Sequence, residues 1–368
     1  MKCYDHIIIG AGIYGATVAR RLTDAGKSVL VIDKRDHVGG NCYTEDYQDT
    51  GITVHVHGPH IFHTSDDIVW TFVNKFSSFN RFVNRVKAKV NNKVFSLPFN
   101  MMTYQQIWGV TNQHDARVCV ANDLVQNDED SFEGLALRTI GKTLYETFLR
   151  DYTTKQWGKH PREISSSVFK RMQLRYTWDD DYYSDKYEGI PTVGYTKLIQ
   201  NMLWNIDVEL NVDFVIEREN IKKLAKRSIL YTGQLDHLYN EEKLRYRSLN
   251  FNHLLLDQDD YQGSAIINYP SVSIPYTRII EHKHFMCDVM PKSPTIVSTE
   301  VPVECSEGRE AYYPIVDKNS ERLHALYLDH FAQEFGKSSF VGGRLGTYTY
   351  MDMDDAIGAA FNTAKRML

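Results

Sequence analysis

Apolar runs broken by glycine set the pattern of this chain. His6-Ile7-Ile8-Ile9 stops at Gly10-Ala11-Gly12-Ile13-Tyr14-Gly15. Ala16, Val18, Ala19 and Leu22 then recur at helical spacing, and a second run, Val29-Leu30-Val31-Ile32, ends in Asp33. The pattern predicts strand, glycine turn, helix and strand. From about Tyr104 to Trp157 the apolar positions (Ala116, Val118, Val120, Leu124; Leu135, Leu137, Ile140; Leu144, Tyr145, Phe148, Leu149) predict a helix-rich stretch. Phe82–Leu97 and Leu249–Val303 alternate polar and apolar residues and carry many Tyr, Val, Ile and Thr, as antiparallel strands do. Two later segments return to the first pattern. Tyr195–Met202 reads as a helix, followed by the strand Val208–Val212 and by Ile229-Leu230-Tyr231, which stops at Thr232-Gly233. Ser339-Phe340-Val341 reads as a strand before Gly342-Gly343-Arg344 and a final helix from about Met353 through Ala364. The signals of this first pattern are therefore split along the chain, with no repeat between them.

At 368 residues the chain is long enough for two or three domains. Its 42% hydrophobic and 24% charged residues are those of a soluble globular protein. A net charge of -5 gives no electrostatic footprint for nucleic acid or an acidic membrane, so local clusters must carry any anion binding. No run of about 18 apolar residues predicts a membrane span, and a strand so near the first residue leaves no room for a signal peptide. The five cysteines (Cys3, Cys42, Cys119, Cys287, Cys305) form no CxxC. That gives no support to a cysteine zinc site or a redox disulfide, and a reduced cytoplasmic location is expected.

The glycine turn reads as a dinucleotide cradle. Gly10 makes the tight turn, Gly12 lets the backbone approach a pyrophosphate, and Gly15 permits close helix–strand packing, which puts the pyrophosphate at the positive end of a helix. Asp33, roughly 20 residues on, is placed to accept a ribose hydroxyl. Lys34 and Arg35 follow, then Gly39, Gly40 and Asn41. A second glycine pair lets another stretch of backbone reach the cofactor. Together these features resemble the FAD-binding flavoproteins of the glutathione-reductase and amine-oxidase type; a turn glycine pair in an NAD domain is the alternative.

His55, His57, His60 and His63 lie within nine positions, on a run that reads as a strand whose one face His55 and His57 share until Gly58-Pro59 breaks it before His60. No neighbouring acidic or cysteine ligand completes a tetrahedron, so no metal site is predicted, and a histidine-bearing turn facing cofactor or substrate is expected. Phe148, Tyr152 and Trp157 offer rings on which a planar base stacks. Arg171, Arg175, Tyr182, Tyr183, Arg278, Tyr312, Tyr313, Arg344, Tyr348 and Tyr350 supply the forks and phenols that suit a diphosphate.

The strings HGPHIFHT (57–64), SLPFNMMTYQQIWGV (96–110), YTTKQWGK (152–159), DDDYYSDKYEGIPTVGYTKLI (179–199), PYTRIIEHKHF (275–285), AYYPI (311–315) and GGRLGTYTYMDM (342–353), in this order after the cradle, resemble the bacterial UDP-galactopyranose mutase family across nearly the whole chain. The resemblance implies an α/β protein of three domains: a discontinuous Rossmann-like FAD-binding domain (1–80, 195–240, 335–368), a helical domain (100–160), and a six-stranded antiparallel sheet domain (81–99, 161–194, 241–334). It implies that Tyr152 and Trp157 line the nucleotide pocket with Phe148 near the uracil, and that Arg171 and Arg278, with Tyr182, Tyr313 and Tyr350, hold the diphosphate. The Arg171 stretch is the candidate mobile loop. His60 is expected beside the flavin ring, Arg344 near the flavin, and Asp352 close to the substrate. The implied reaction converts UDP-galactopyranose to UDP-galactofuranose through a reduced-FAD N5–sugar adduct, for cell-surface glycan synthesis, in a homodimer.

The chain departs from the family pattern at His57-Gly58-Pro59-His60, at Thr192-Val193-Gly194, which has one glycine fewer, and at Thr232-Gly233-Gln234, which lacks a proline. Proline restricts its own and the preceding backbone, which reshapes the sugar side. UDP-N-acetylgalactosamine, dTDP-fucose and UDP-arabinose therefore stand as alternative substrates. An amine-oxidase-like oxidoreductase is the rival enzyme class, and the arginines speak against an amine pocket.

Overall fold

The computed structural model describes residues 2–166, 169, 174–239, 242–287, 293–306 and 308–368. Its first layer is a five-stranded parallel sheet in the order Phe340–Val341, Ala225–Tyr231, Tyr4–Ile9, Val29–Ile32, Asp207–Glu209. Parallel strands are covered on both faces, which is why Ile7-Ile8-Ile9 and Val29–Ile32 are unbroken apolar runs. Ile7, Ile8, Leu30, Val31 and Ile32 are fully buried. One face is covered by the helices Ile13–Asp24, Gly194–Met202 and Met353–Met367. The last of these presents Ala356, Ile357, Ala360, Ala364 and Met367 at helical spacing. The other face meets Leu323, Tyr327 and Phe331 of Lys318–Phe335. The strand expected to reach Val212 ends at Glu209; Asn211 turns at a φ of 58°, and the amides of Asn211 and Val212 bond back to the carbonyls of Arg35 and Asp33.

The second sheet corrects an expectation. Six antiparallel strands were expected, and seven are present, in the order Tyr313–Pro314, Tyr246–Leu256, Thr295–Glu304, Arg278–Glu281, Ile266–Asn268, Lys87–Val90, Lys93–Ser96. The extra strand is a two-residue edge, where a proline cannot extend the ladder. Ile266–Asn268 and Lys87–Val90 pair in parallel. They come from distant parts of the chain, so no hairpin turn dictates their direction.

Between these sheets in sequence lie the helices Met101–Trp108, Gln113–Asp123, Phe132–Thr139 and Arg150–Trp157, the last entered through a π-helical turn at Tyr145–Leu149. Asn100, Asn112 and Ser131 accept backbone amides at three helix starts, and Gly109 and Gly158 end two helices in the left-handed region. No helix among the described residues is long and apolar enough to cross a membrane.

Candidate active site

The first cavity, about 280 Å³, opens at the carboxyl ends of the parallel strands, where such sheets receive ligands. Gly10 takes a φ of 111°, and a Cβ there would lie 2.0 Å from Thr232 Oγ1. At Gly15 a Cβ would lie 2.0 Å from the Gly10 carbonyl. Gly12 differs: a Cβ would meet only Gly40 Cα, at 3.8 Å, so its substituent faces open space. Gly12 precedes the Ile13–Asp24 helix with no side-chain cap, which leaves the first amides of that helix for an anion. The second glycine pair packs on the first. Gly39 bridges Gly12, its amide bonds the Ala11 carbonyl at 2.9 Å, and Gly39 and Gly40 both take positive φ.

Asp33 is buried and lines this cavity, but both of its oxygens also serve the cradle: Oδ2 accepts the Ala11 amide at 2.7 Å and Oδ1 the Arg35 amide at 3.0 Å. Each oxygen keeps a second lone pair free to accept a further hydrogen bond. Lys34 lies 3.8 Å from Glu310. Arg35, to which the sequence reading gave no role, bonds Asn41 Oδ1 and Glu310 Oε2, both at 2.9 Å; its buried Nη1 has no protein partner and the residue lines the cavity. A pocket with an open glycine cradle, uncapped helix amides and an unmatched guanidinium donor fits a dinucleotide carrying phosphate.

The histidine segment is not one strand. Thr53–His55 is followed by a turn and Phe62–Thr64 resumes, so the expectation that His55 and His57 share a strand face is corrected. Gly58, at a φ of 100°, makes the break. The four rings go to four partners: His55 Nδ1 accepts the His60 amide at 3.0 Å, His57 Nδ1 meets Tyr312 OH at 2.8 Å, His60 Nδ1 meets the Gly58 carbonyl at 2.8 Å, and His63 Nδ1 meets Asp185 at 2.8 Å. Because a carbonyl only accepts, His60 carries its proton on Nδ1 and offers Nε2 as an acceptor. Burial and then the Arg344 charge lower its pKa to about 4, which keeps it neutral near pH 7.

The second cavity, about 240 Å³, shares Asn41, His60, Arg344, Asp352 and Met353 with the first, so the two meet at these side chains. Sheet register builds its charged wall. Glu300 pairs with Phe251 and with Arg278, and Arg278 with Asn268, so these four side chains form one row across four strands on one face. Arg278 Nε lies 2.8 Å from Glu300 Oε2, and Glu300, only 1% exposed, also accepts the Thr277 hydroxyl at 3.0 Å. Tyr152, Tyr182, Tyr183, Tyr312, Tyr313 and Tyr350 line the same cavity. Tyr313 and Tyr350 stack at 5.9 Å, and the Arg344 guanidinium lies 4.7 Å from the Tyr350 ring. Tyr350 OH bonds Asp352 at 3.2 Å. Burial raises the Tyr152 pKa to about 12, so its phenol remains a donor.

Not every expected residue joins. Phe148 is 2% exposed and packs against Phe95 and Phe99 at 5.1 and 5.4 Å; it lines neither cavity, because its helical spacing turns it into the core. Trp157 is half-buried against the same core and lines neither. Arg171 lies outside the described residues. Sequence reasoning missed Glu300, Asn268 and Asn84. Asn84 is 3% exposed, lines the second cavity, and has an unpartnered side-chain oxygen. The available signal for Glu300 was a carboxylate in the middle of the otherwise uncharged run Thr295–Val303.

A family model described as UDP-galactopyranose mutase matches residues 147–350, and one described as an NAD(P)-binding Rossmann-like domain matches residues 8–76. The chain is 41% identical over 370 residues to a probable UDP-galactopyranose mutase of Klebsiella pneumoniae, covering 98% of this chain and 94% of the relative. It is 39% identical over 368 residues to a dTDP-fucopyranose mutase of Escherichia coli, covering 98% and 97%. A crystal structure of a reduced UDP-galactopyranose mutase superposes with a TM-score of 0.73 at 15% identity, covering 99% of this chain and 94% of that one, a likeness of fold.

Proposed function

The chain belongs to the UDP-galactopyranose mutase family, and we propose that this isomerase interconverts UDP-galactopyranose and UDP-galactofuranose with FAD, active when reduced. The observation that carries the reading is the meeting of a dinucleotide cleft and an arginine–tyrosine cavity at His60 and Arg344. Gly10, Gly12, Gly15, Asp33, Lys34, Gly39, Gly40 and Asn41 would hold FAD, with the pyrophosphate on the helix amides. When bound, reduced flavin supplies the nucleophile, so the protein needs no side-chain nucleophile of its own.

The side chains bind and orient. Arg278, with Arg171, Tyr182, Tyr313 and Tyr350, holds the diphosphate; Tyr152 takes the nucleotide end; Asp352 faces the sugar. Neutral His60 presents an acceptor rather than a second cation beside Arg344. The three-domain division belongs to the same proposal. Every strand of the parallel sheet comes from 1–80, 195–240 and 335–368, and every strand of the seven-stranded sheet from 81–99 and 241–334. The helix Lys318–Phe335 packs with the first group instead. A role in cell-surface glycan synthesis and a homodimer complete the reading.

The test is product analysis by chromatography and NMR after dithionite reduction under nitrogen, with UDP-galactopyranose, UDP-N-acetylgalactosamine, UDP-arabinopyranose and dTDP-fucopyranose supplied separately. Conversion of UDP-galactopyranose only by the reduced protein is expected. Conversion of dTDP-fucopyranose instead would follow from the Pro59 turn and move the substrate within the family. No conversion of any, with FAD bound, overturns the reading.

A further inference from the structure

Lys155 lines neither cavity, yet its ammonium sits where the elements lining the second one are joined. It lies on the Arg150–Trp157 helix, three residues after Tyr152, and so on nearly the same face. Its Nζ reaches three backbone carbonyls, Tyr269 at 2.5 Å, Tyr276 at 2.8 Å and Ile274 at 3.1 Å. An ammonium has three donors, and all three are used. The carbonyls belong to the connection between Ile266–Asn268 and Arg278–Glu281. Tyr269 follows Asn268 directly, and Tyr276 precedes Arg278 by two residues, so the lysine holds both ends of the hairpin that carries Asn268 and Arg278. Arg247 secures the same helix from the sheet side, donating to the carbonyls of Gln156 at 2.8 Å and Lys155 at 3.2 Å. Burial lowers the Lys155 pKa to about 8, opposed by the Asp151 charge, which leaves it largely protonated at pH 7.

We propose that Lys155 is a positioning residue that works as an internal cation: it sets the spacing between Tyr152 on its helix and Arg278 on its strand, and so lets one nucleotide diphosphate span base and phosphate contacts together. This rests on the reading of the second cavity as the nucleotide-sugar site. A tethered cation suits the task. Three converging carbonyls repel one another unless a cation sits among them, and two prolines, Pro270 and Pro275, remove amide donors that would otherwise serve the connection.

The experiment uses the FAD-loaded, reduced Lys155→Ala protein. Removing the side chain leaves an oxygen-lined space that suits a small cation. KM for the converted sugar nucleotide and Kd for UDP should rise by about tenfold, with kcat and the flavin absorption spectrum little changed. Ammonium or methylammonium chloride at about 0.1 M should recover part of the affinity, and tetramethylammonium chloride at the same ionic strength, too large for the space, should not. Lys155→Gln, an uncharged side chain one atom shorter that still offers two donors, should show a smaller rise and secures the test where the alanine variant folds poorly. Unchanged KM and UDP affinity in both variants overturns the proposal, as does loss of flavin and melting temperature with no response to ammonium. Arg278→Ala is run beside them: if it weakens UDP binding while the lysine variants do not, the lysine proposal fails and the site reading stands. If none weakens it, the site reading fails.

Discussion

At the scale of single residues, the three cradle glycines look alike in sequence and do different work. Gly15 is closed by the Gly10 carbonyl and Gly10 by Thr232, whereas Gly12 is open toward the cavity. Gly15→Ala should therefore lower the melting temperature of the cofactor-free protein by several degrees, because a Cβ 2.0 Å from a carbonyl forces the helix off the strand. Gly12→Val should leave that temperature nearly unchanged and abolish flavin binding, read as the ratio of absorbance at about 450 nm to that at 280 nm after reconstitution with FAD. Normal flavin content in Gly12→Val would contradict the cradle. These roles were legible because a glycine turn between a strand and a helix has few physical solutions. Phe148 was not legible: a phenylalanine one turn before Tyr152 reads equally well as a base platform or as core, and only the packing on Phe95 and Phe99 decides. Glu300 and Arg35 escaped for a different reason. Their partners lie 22 and 275 residues away, and sequence spacing carries no trace of such meetings.

At the scale of elements, the decisive object is the row Phe251–Glu300–Arg278–Asn268, built by register alone. A slip of one residue against the Glu300 strand would send the arginine to the face opposite the carboxylate, and a slip against the Asn268 or Phe251 strand would take that neighbour out of the row. Arg278 neutralises a buried carboxylate, and in the proposed function it also meets phosphate; the two duties can be separated. Arg278→Ala should cost about 3 kcal/mol of stability, since Glu300 loses its countercharge, and should also weaken UDP binding. Adding Glu300→Gln should restore most of the stability and none of the affinity. Calorimetry paired with UDP titration reads both, and recovery of affinity in the double variant would remove Arg278 from the site. Strands and helices were legible wherever one period dominated, as in Ile7–Ile9 or Ala356–Ala364. The parallel pairing of Ile267 with Lys87 was not, because nothing local specifies the direction in which distant segments meet.

At the scale of the whole molecule, burial of neutral imidazoles ties stability to pH. Burial lowers the pKa of His55 to about 3, and of His57 and His60 to about 4, against an ordinary 6.5. The unfolded chain binds more protons than the folded one across that interval, so this stability is present above about pH 6.5 and lost as pH falls toward 4. Glu188, raised by burial to about 7, works the other way, losing its contribution as pH rises from 4.5 through 7. Three groups outweigh one, and the melting temperature of the cofactor-free protein should fall between pH 6.5 and 4.5; a flat or rising profile would contradict the neutral histidines. The order of strands in the parallel sheet carries one more consequence, concerning birth rather than function. Tyr4–Ile9 pairs with Ala225–Tyr231, the far edge comes from Phe340–Val341, and Arg344, Asp352 and Met353 still have to arrive to line the cleft. On the ribosome, Tyr4–Ile9 and Val29–Ile32 have each other from the start, but their outer edges must wait for more than half the chain while the helices between residues 101 and 157, made of local contacts, settle. Completion of the cleft is therefore a late event, and during translation the outer edges of the two amino-terminal strands are what a chaperone would have to guard.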